Sequence, residues 1–513
     1  MKQSYIFIFS FLYAMHGLAQ INPQSKKITQ RYFPDNELIQ NVTPALKKDK
    51  GFTNYEELIS FLNELKTNHS DYVTISYIGE SQKGKNIPLV SLTNPNSKQE
   101  KTKVWMQGGL HGNEPGSSEG LLYLLHTLLT NTENSYLLDK IELAVIPMAN
   151  IDGYLKQDRY AANGLDLNRD QTKLMAPESI LLKQTFSNFK PEVALDFHEY
   201  KAYRKDFSKL GNFGIAGYYD VMFLYSGNLN VPQNMRTLTD SLFVQKARDL
   251  MDQNKLSHHN YVTTDELQGD IVFNQGSTNS RSSATSYALT NSISTLIEVR
   301  GVDIGRTSYK RRINTTFLIG MSYLKTAYDH AALLKKEIIK AQNKAKQITI
   351  TSTRKIYKDT IQVIDLDTYE ILDFEITTRD ALKSIPKLSR NLPEAYLISP
   401  NQEALITKLK ILGVHVETLQ EDTAYDVECY TVVSYKKNNM PYEKMILQTV
   451  ETNLSEKNIL FLKGTYIIST HQKNAPVLTE VLEPEAPNSF VSFGVLKTEL
   501  NQNLPIYRLP KKN

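Results

Sequence analysis

The chain has 513 residues, 41% of them apolar, and a formal net charge of +4. That length allows two domains, and so small a charge, with no basic tract or aromatic-interleaved stripe, argues against a nucleic-acid partner. The single cysteine, Cys429, excludes an intrachain disulfide, so stability must come from a packed core.

Residues 1–19 read as a secretory signal: Lys2 gives the positive start, residues 6–14 an apolar run, and Gly17-Leu18-Ala19 the small-residue cleavage pattern before Gln20. The run is too short to span a bilayer, and no later stretch is long and apolar enough to do so. An exported protein, secreted or periplasmic, with no transmembrane segment after signal removal, is the expectation. Residues 20–50 are polar and proline-punctuated, a lead-in that hugs the surface. Residues 53–57 open a helix whose Leu58, Phe61, Leu62 and Leu65 recur at helical spacing. Strands are predicted at 72–78 and 87–92, with Gly84-Lys85 turning between them.

The stretch 103–120, KVWMQGGLHGNEPGSSEG, carries the first chemistry. A short strand with Val104 and Met106 is broken by Gly108-Gly109, which puts His111 and Glu114 in a strand-to-helix turn before a helix at 120–129. A histidine and a carboxylate three positions apart can face one cavity, and Zn²⁺ favours such donors. A catalytic zinc needs a third protein ligand and keeps its fourth position open. The buried run 193–197 ends at His198, which is placed to supply that ligand through the fold. His126 reads as packed on its helix, and His258-His259 as a solvated loop.

Residues 142–147 form another apolar run, and 154–170, YLKQDRYAANGLDLNRD, a polar loop. A crossover helix at 177–189 feeds the His198 strand. Strands alternating with such helices predict an α/β fold with a mixed, largely parallel central sheet covered by helices on both faces, and ligands at the carboxyl ends of its strands. Residues 200–230 read as a long surface segment, 232–254 as a helix and 269–291 as a Ser/Thr/Asn-rich loop. The apolar strand at 294–301 contains Glu298, which is costly in a core unless satisfied or used. A long helix at 315–346 closes this domain.

Texture then changes. Residues 348–377 alternate as a half-buried antiparallel sheet does, and 395–416 read as a strand-helix-strand unit. Further strands are predicted at 430–435, 445–450 and 465–469. With no nucleophile, metal cluster or phosphate loop, this reads as a C-terminal α+β accessory domain. The expected division is 1–19 signal, 20–50 lead-in, 51–346 catalytic domain and 347–513 accessory domain.

His111-x-x-Glu114, Asp166-x-Asn168-Arg169, a histidine at a strand end and Glu298 on a late strand together resemble the zinc carboxypeptidase family M14. The resemblance covers about residues 52–346 and implies a secreted zinc metallocarboxypeptidase. In it His111, Glu114 and His198 hold Zn²⁺, and Glu298 is the general base acting on a zinc-activated water. It further implies that Asp166 orients His111, that Arg159 stabilises the oxyanion, and that Asn168 and Arg169 receive the terminal carboxylate. Tyr287 is the candidate tyrosine over the substrate. The substrate would be a peptide, with peptidoglycan stem peptides as one class. Alternatives are a zinc amidase or deacylase, or an endo-acting peptidoglycan peptidase, on the same scaffold, and an inactive binding protein.

Overall fold

The computed structural model describes residues 23–342 and 346–511, so the signal pattern at 1–19 lies outside the described residues. An eight-stranded mixed sheet organises the first half. Its middle is formed by Ile141–Ile146, Thr102–Gly108, Val193–Tyr200 and Ile293–Arg300, all parallel to one another. Asn86–Leu92 and Val73–Glu80 add on one side antiparallel, and Val221–Tyr225 pairs antiparallel on the other, followed by His258–Asn260.

The middle strands are covered on both faces, so every residue of Val193–Tyr200 and Ile293–Arg300 is buried. Strand alternation assigns the faces. Trp105 points to helix Pro177–Phe189, where its ring meets Phe186 edge-on at 5.6 Å. Its neighbour Met106 points the other way, toward helices Pro115–Thr130 and Tyr309–Asp329. Helix Tyr55–Asn68 starts where the sequence indicates, with a reciprocal capping box between Asn54 and Glu57.

Several expectations change. The segment 200–230 holds the buried strand Val221–Tyr225 and the short strand Ile215–Gly217 instead of a wholly irregular surface run. His258 and His259 lie on an edge strand, and the His259 ring stacks on Tyr219 at 4.7 Å. The long helix breaks at His330 into Tyr309–Asp329 and Ala331–Gln342.

The C-terminal region contains a long hairpin, Gln347–Asp365 with Ile371–Asn391, and a six-stranded sheet whose strand pairs are all antiparallel. The hairpin does not stand apart. It pairs with Ile215–Gly217 on one edge and Asp270–Gln275 on the other, so one five-stranded sheet runs across the expected boundary at residue 346. Helix Glu403–Ile411 docks on Pro177–Phe189, where Ser187 Oγ donates to Ile411 O at 2.8 Å. One apolar core therefore includes Leu182 and Phe186 together with Leu405 and Leu409.

Candidate active site

At the carboxyl end of Thr102–Gly108 the chain turns through Gly109, whose φ of +63° favours glycine. Gly112 lies against the backbone of Gly153, Tyr154 and Asp158 so closely that any Cβ would overlap it. This close approach fixes the His111–Glu114 turn. Glu114 occupies the N-cap position of helix Pro115–Thr130, with Pro115 in the first turn, where a carboxylate is favoured by the helix dipole.

His198 and Glu298 sit side by side in the parallel register of neighbouring strands. The Nδ1 atoms of His111 and His198 are 3.0 Å apart, and each faces one oxygen of Glu114, at 2.7 and 2.8 Å. Their Nε2 atoms face away, His111 toward Asp166 at 3.1 Å and His198 toward Asp196 at 2.9 Å. His111, Glu114 and His198 are all buried, and their candidate donor atoms fall within 4.8 Å of one another. Two imidazole nitrogens and a carboxylate converging on one point, with both outer nitrogens held by carboxylates, form a donor set that fits Zn²⁺.

Burial alone would push the Glu114 carboxyl up, but the two imidazoles outweigh it and hold it well below the usual range. His198 moves the other way: Asp196 and Glu114 overcome burial and raise it well above an ordinary histidine. Glu298 differs from both. Burial pushes it up to about 8, with Glu114 adding and His198 and Arg159 opposing. Its side chain makes no hydrogen bond or ion pair with any described residue, and it lines the cleft.

Asp166 ties the second loop to the first. Its Oδ1 faces His111 and accepts from Asn168 N at 2.8 Å, while its Oδ2 accepts from Arg159 Nε and Nη2 at 3.1 and 2.8 Å. Burial would raise this carboxyl, yet His111 and Arg159 keep it well below the usual range. Arg159 Nη1 lies 3.8 Å from Glu114, leaving that end of the guanidinium beside the candidate metal site. Asn168 Oδ1 accepts from Ser283 N, and Arg169 Nη1 donates to Asn168 O, so both side chains are set at the cleft wall.

Tyr287 is not in the cleft. It is buried on helix Ser283–Ala288, stacked on Phe186 at 4.0 Å, with its hydroxyl donating to Gln107 at 3.0 Å. The Phe186 ring and the Gln107 acceptor hold it in the core. Tyr200, Tyr219 and Tyr261 line the cleft instead; the Tyr261 hydroxyl is pushed up to about 12 by burial and by Glu298, against Arg169, Arg204 and Arg159. No local motif marks Tyr261 in the sequence.

The cavity holds about 510 Å³ and draws wall from both halves of the chain, including Arg354 and Gln362 of the long hairpin. Nothing local in residues 347–391 indicated this contribution, because it depends on which sheet edge the hairpin joins. The turn at 442–445 also reaches the site: Glu443 accepts from Asp166 N, and the Tyr442 ring lies 4.8 Å from the Arg281 guanidinium.

Residues 58–293 match the Peptidase_M14 family, zinc carboxypeptidase. Carboxypeptidase 2 of Trichophyton rubrum is 30% identical over 472 residues, covering 90% of this chain and 87% of that protein. Carboxypeptidase 2 of Trichophyton equinum is 30% identical over 470 residues, with the same coverage. Among solved structures, carboxypeptidase A of Helicoverpa armigera superposes with a TM-score of 0.44 at 20% identity, covering 56% of this chain and 78% of that one. Similarity that runs through both halves of the chain at this level places it: the protein belongs to the zinc carboxypeptidase family and is a metallopeptidase.

Proposed function

We propose that this metallocarboxypeptidase is exported and removes the last residue of peptides by hydrolysis, with Glu298 as the general base. One observation carries the reading: a nearly buried carboxylate, register-paired with His198 and facing the cleft, has no hydrogen-bond or ion-pair partner among the described residues. Such a group costs free energy unless it is used, and a protein that only binds has no need of it. Export rests on the leader pattern at 1–19; among the described residues no helix is long and apolar enough to cross a membrane.

His111, Glu114 and His198 are the residues that would hold Zn²⁺, which supplies a Lewis acid for the scissile carbonyl and for a water molecule when bound. Glu298 accepts the proton of the attacking water and returns it to the leaving amine, as its place at the cleft beside His198 allows. Arg159, braced by Asp166, directs its free N–H groups to the oxyanion. Asn168 and Arg169 grip the terminal carboxylate, for which a guanidinium offers two parallel donors.

Matched peptides with free and amidated C-termini test the exopeptidase reading. Amidation should lower kcat/KM by at least about tenfold, and Arg169→Ala should erase most of that difference while zinc stays bound. Equal cleavage of both peptides by the unmodified enzyme would leave an endo-acting amidase as the better account.

A further inference from the structure

The charges that line the cleft do not balance within the protein. Lys201 pairs with Asp303 at 2.5 Å, Arg204 with Asp206 at 3.1 Å and Arg159 with Asp166 at 2.8 Å, while Glu199 is held by Arg312 at 2.7 Å. Arg169, Arg281 and Arg354 also line the cleft, and none of them has a carboxylate within 4.0 Å among the described residues.

Arg281 is the most telling of the three. Two backbone contacts dock its segment onto the carboxylate-binding loop: Arg281 O accepts from Gln171 N at 3.2 Å, and Ser283 N donates to Asn168 at 2.8 Å. Its guanidinium rests against the Tyr442 ring, a face contact that uses none of its N–H groups. No hydrogen bond from its side chain to a described residue is present. The group is half-buried; burial and the nearby Arg169 disfavour its charge, while the Tyr442 hydroxyl and the more distant Asp166 and Glu443 carboxylates favour it without pairing with it. A partly desolvated cation with free donors beside a second cation gains charge-assisted contacts when an anion arrives.

A neutral C-terminal residue brings one carboxylate, and Asn168 with Arg169 suffices for it. The repulsion between Arg169 and Arg281 then remains, and Arg281 keeps its unused donors. We infer that Arg281 is a specificity-determining residue that receives the side-chain carboxylate of a terminal glutamate or aspartate, with Tyr442 of the C-terminal region as its positioning residue. Arg354, farther along the wall and held by Asn274 Oδ1 at 2.6 Å, adds positive potential to the same cleft. The inference rests on the carboxypeptidase reading of the site.

The test uses the zinc-loaded full chain and peptides identical except for a final Glu, Gln, Phe or Lys. The Glu peptide should exceed its neutral isostere, the Gln peptide, by at least about tenfold in kcat/KM, because only it forms a second charge-assisted contact. Raising the salt concentration should narrow that ratio. Arg281→Gln should cost the Glu peptide at least about tenfold more than the Gln peptide, and Arg281→Lys should restore part of the difference. Equal kcat/KM for Glu and Gln peptides in the unmodified enzyme would overturn the inference and needs no variant to fold. An equal loss on both peptides in Arg281→Gln would overturn it as well, marking Arg281 as structural. Cleavage that ignores the charge of the last residue leaves the carboxypeptidase reading standing, whereas failure to cut any free C-terminus overturns both.

Discussion

The carboxylate of Glu443 accepts the backbone N–H of Asp166 at 3.0 Å, joining residues that are 277 positions apart. Asp166 is the group that braces both His111 and Arg159, so the C-terminal region holds the active-site loop from behind. The turn that presents Glu443 is closed by two hydrogen bonds between Tyr442 and Met445, at 2.8 and 2.9 Å. Glu443 and Lys444 both take left-handed φ values, +48° and +61°, which cost roughly 1–3 kcal/mol each outside glycine. Contacts of Glu443 with Asp166 and of Lys444 with Asn163 O offset that strain. Glu443→Ala should therefore loosen the loop and raise KM by about three- to tenfold, given about 1.5–3 kcal/mol for a charged hydrogen bond less what water restores. Steady-state kinetics should show a smaller change in kcat; an unchanged KM would mean the loop stands without this support.

Metal content separates a ligand from the group that orients it. His198→Ala should leave the purified protein without stoichiometric zinc, since two donors remain where three are needed. Asp196→Asn should still bind zinc, but about 10–100-fold more weakly, because the carboxylate that fixes the His198 ring is gone. Competition with a chelator, read by metal analysis, checks both. Full occupancy in His198→Ala would remove that residue from the ligand set.

Glu298→Gln is nearly isosteric and cannot take a proton. The expected result is a fall in kcat of about 10²-fold or more with zinc and fold retained. Substrate KM should move little, since Glu298 is assigned no contact with the terminal carboxylate. Near-normal turnover in a zinc-loaded variant would move the base to another residue.

Lys183 makes stability depend on pH. It is buried, donates to Ser286 Oγ at 2.7 Å, and burial lowers its pKa from 10.5 to about 7 despite Asp196. Below pH 7 the amine is charged in both states, and the folded protein bears the full cost of burying it. Between about 7 and 10.5 only the unfolded chain keeps the proton, so stability rises with pH, by at most about 1.4 kcal/mol per unit. Lys183→Met should gain stability relative to the unmodified chain at pH 6 and lose most of that gain by pH 9. Denaturant midpoints of the two proteins at both pH values measure it, and a difference that does not vary with pH would place the titration elsewhere.

What the sequence settled was local. The His111 turn, His198 and Glu298 each lie at the end of an apolar run, or within one, where a polar residue is conspicuous because burial makes it costly, whereas Asp166 to Arg169 lie in a polar loop and were marked only by the family resemblance. The same runs and the helices between them sufficed for the α/β class and the mixed sheet. Pairing decided the rest. Val221–Tyr225 sits in a glycine- and tyrosine-rich stretch without clean periodicity, and its place beside Ile293–Arg300 comes from a register between distant segments. The hairpin at 347–391 alternates as any half-buried strand pair does. Only the folded chain specifies that it joins Asp270–Gln275 and brings Arg354 to the cleft. Tyr287 and Tyr261 show the same limit on a smaller scale. A tyrosine in sequence is equally suited to core and cavity, and the face of the element it occupies is chosen by what packs against it: Phe186 behind Tyr287, and the open cleft before Tyr261.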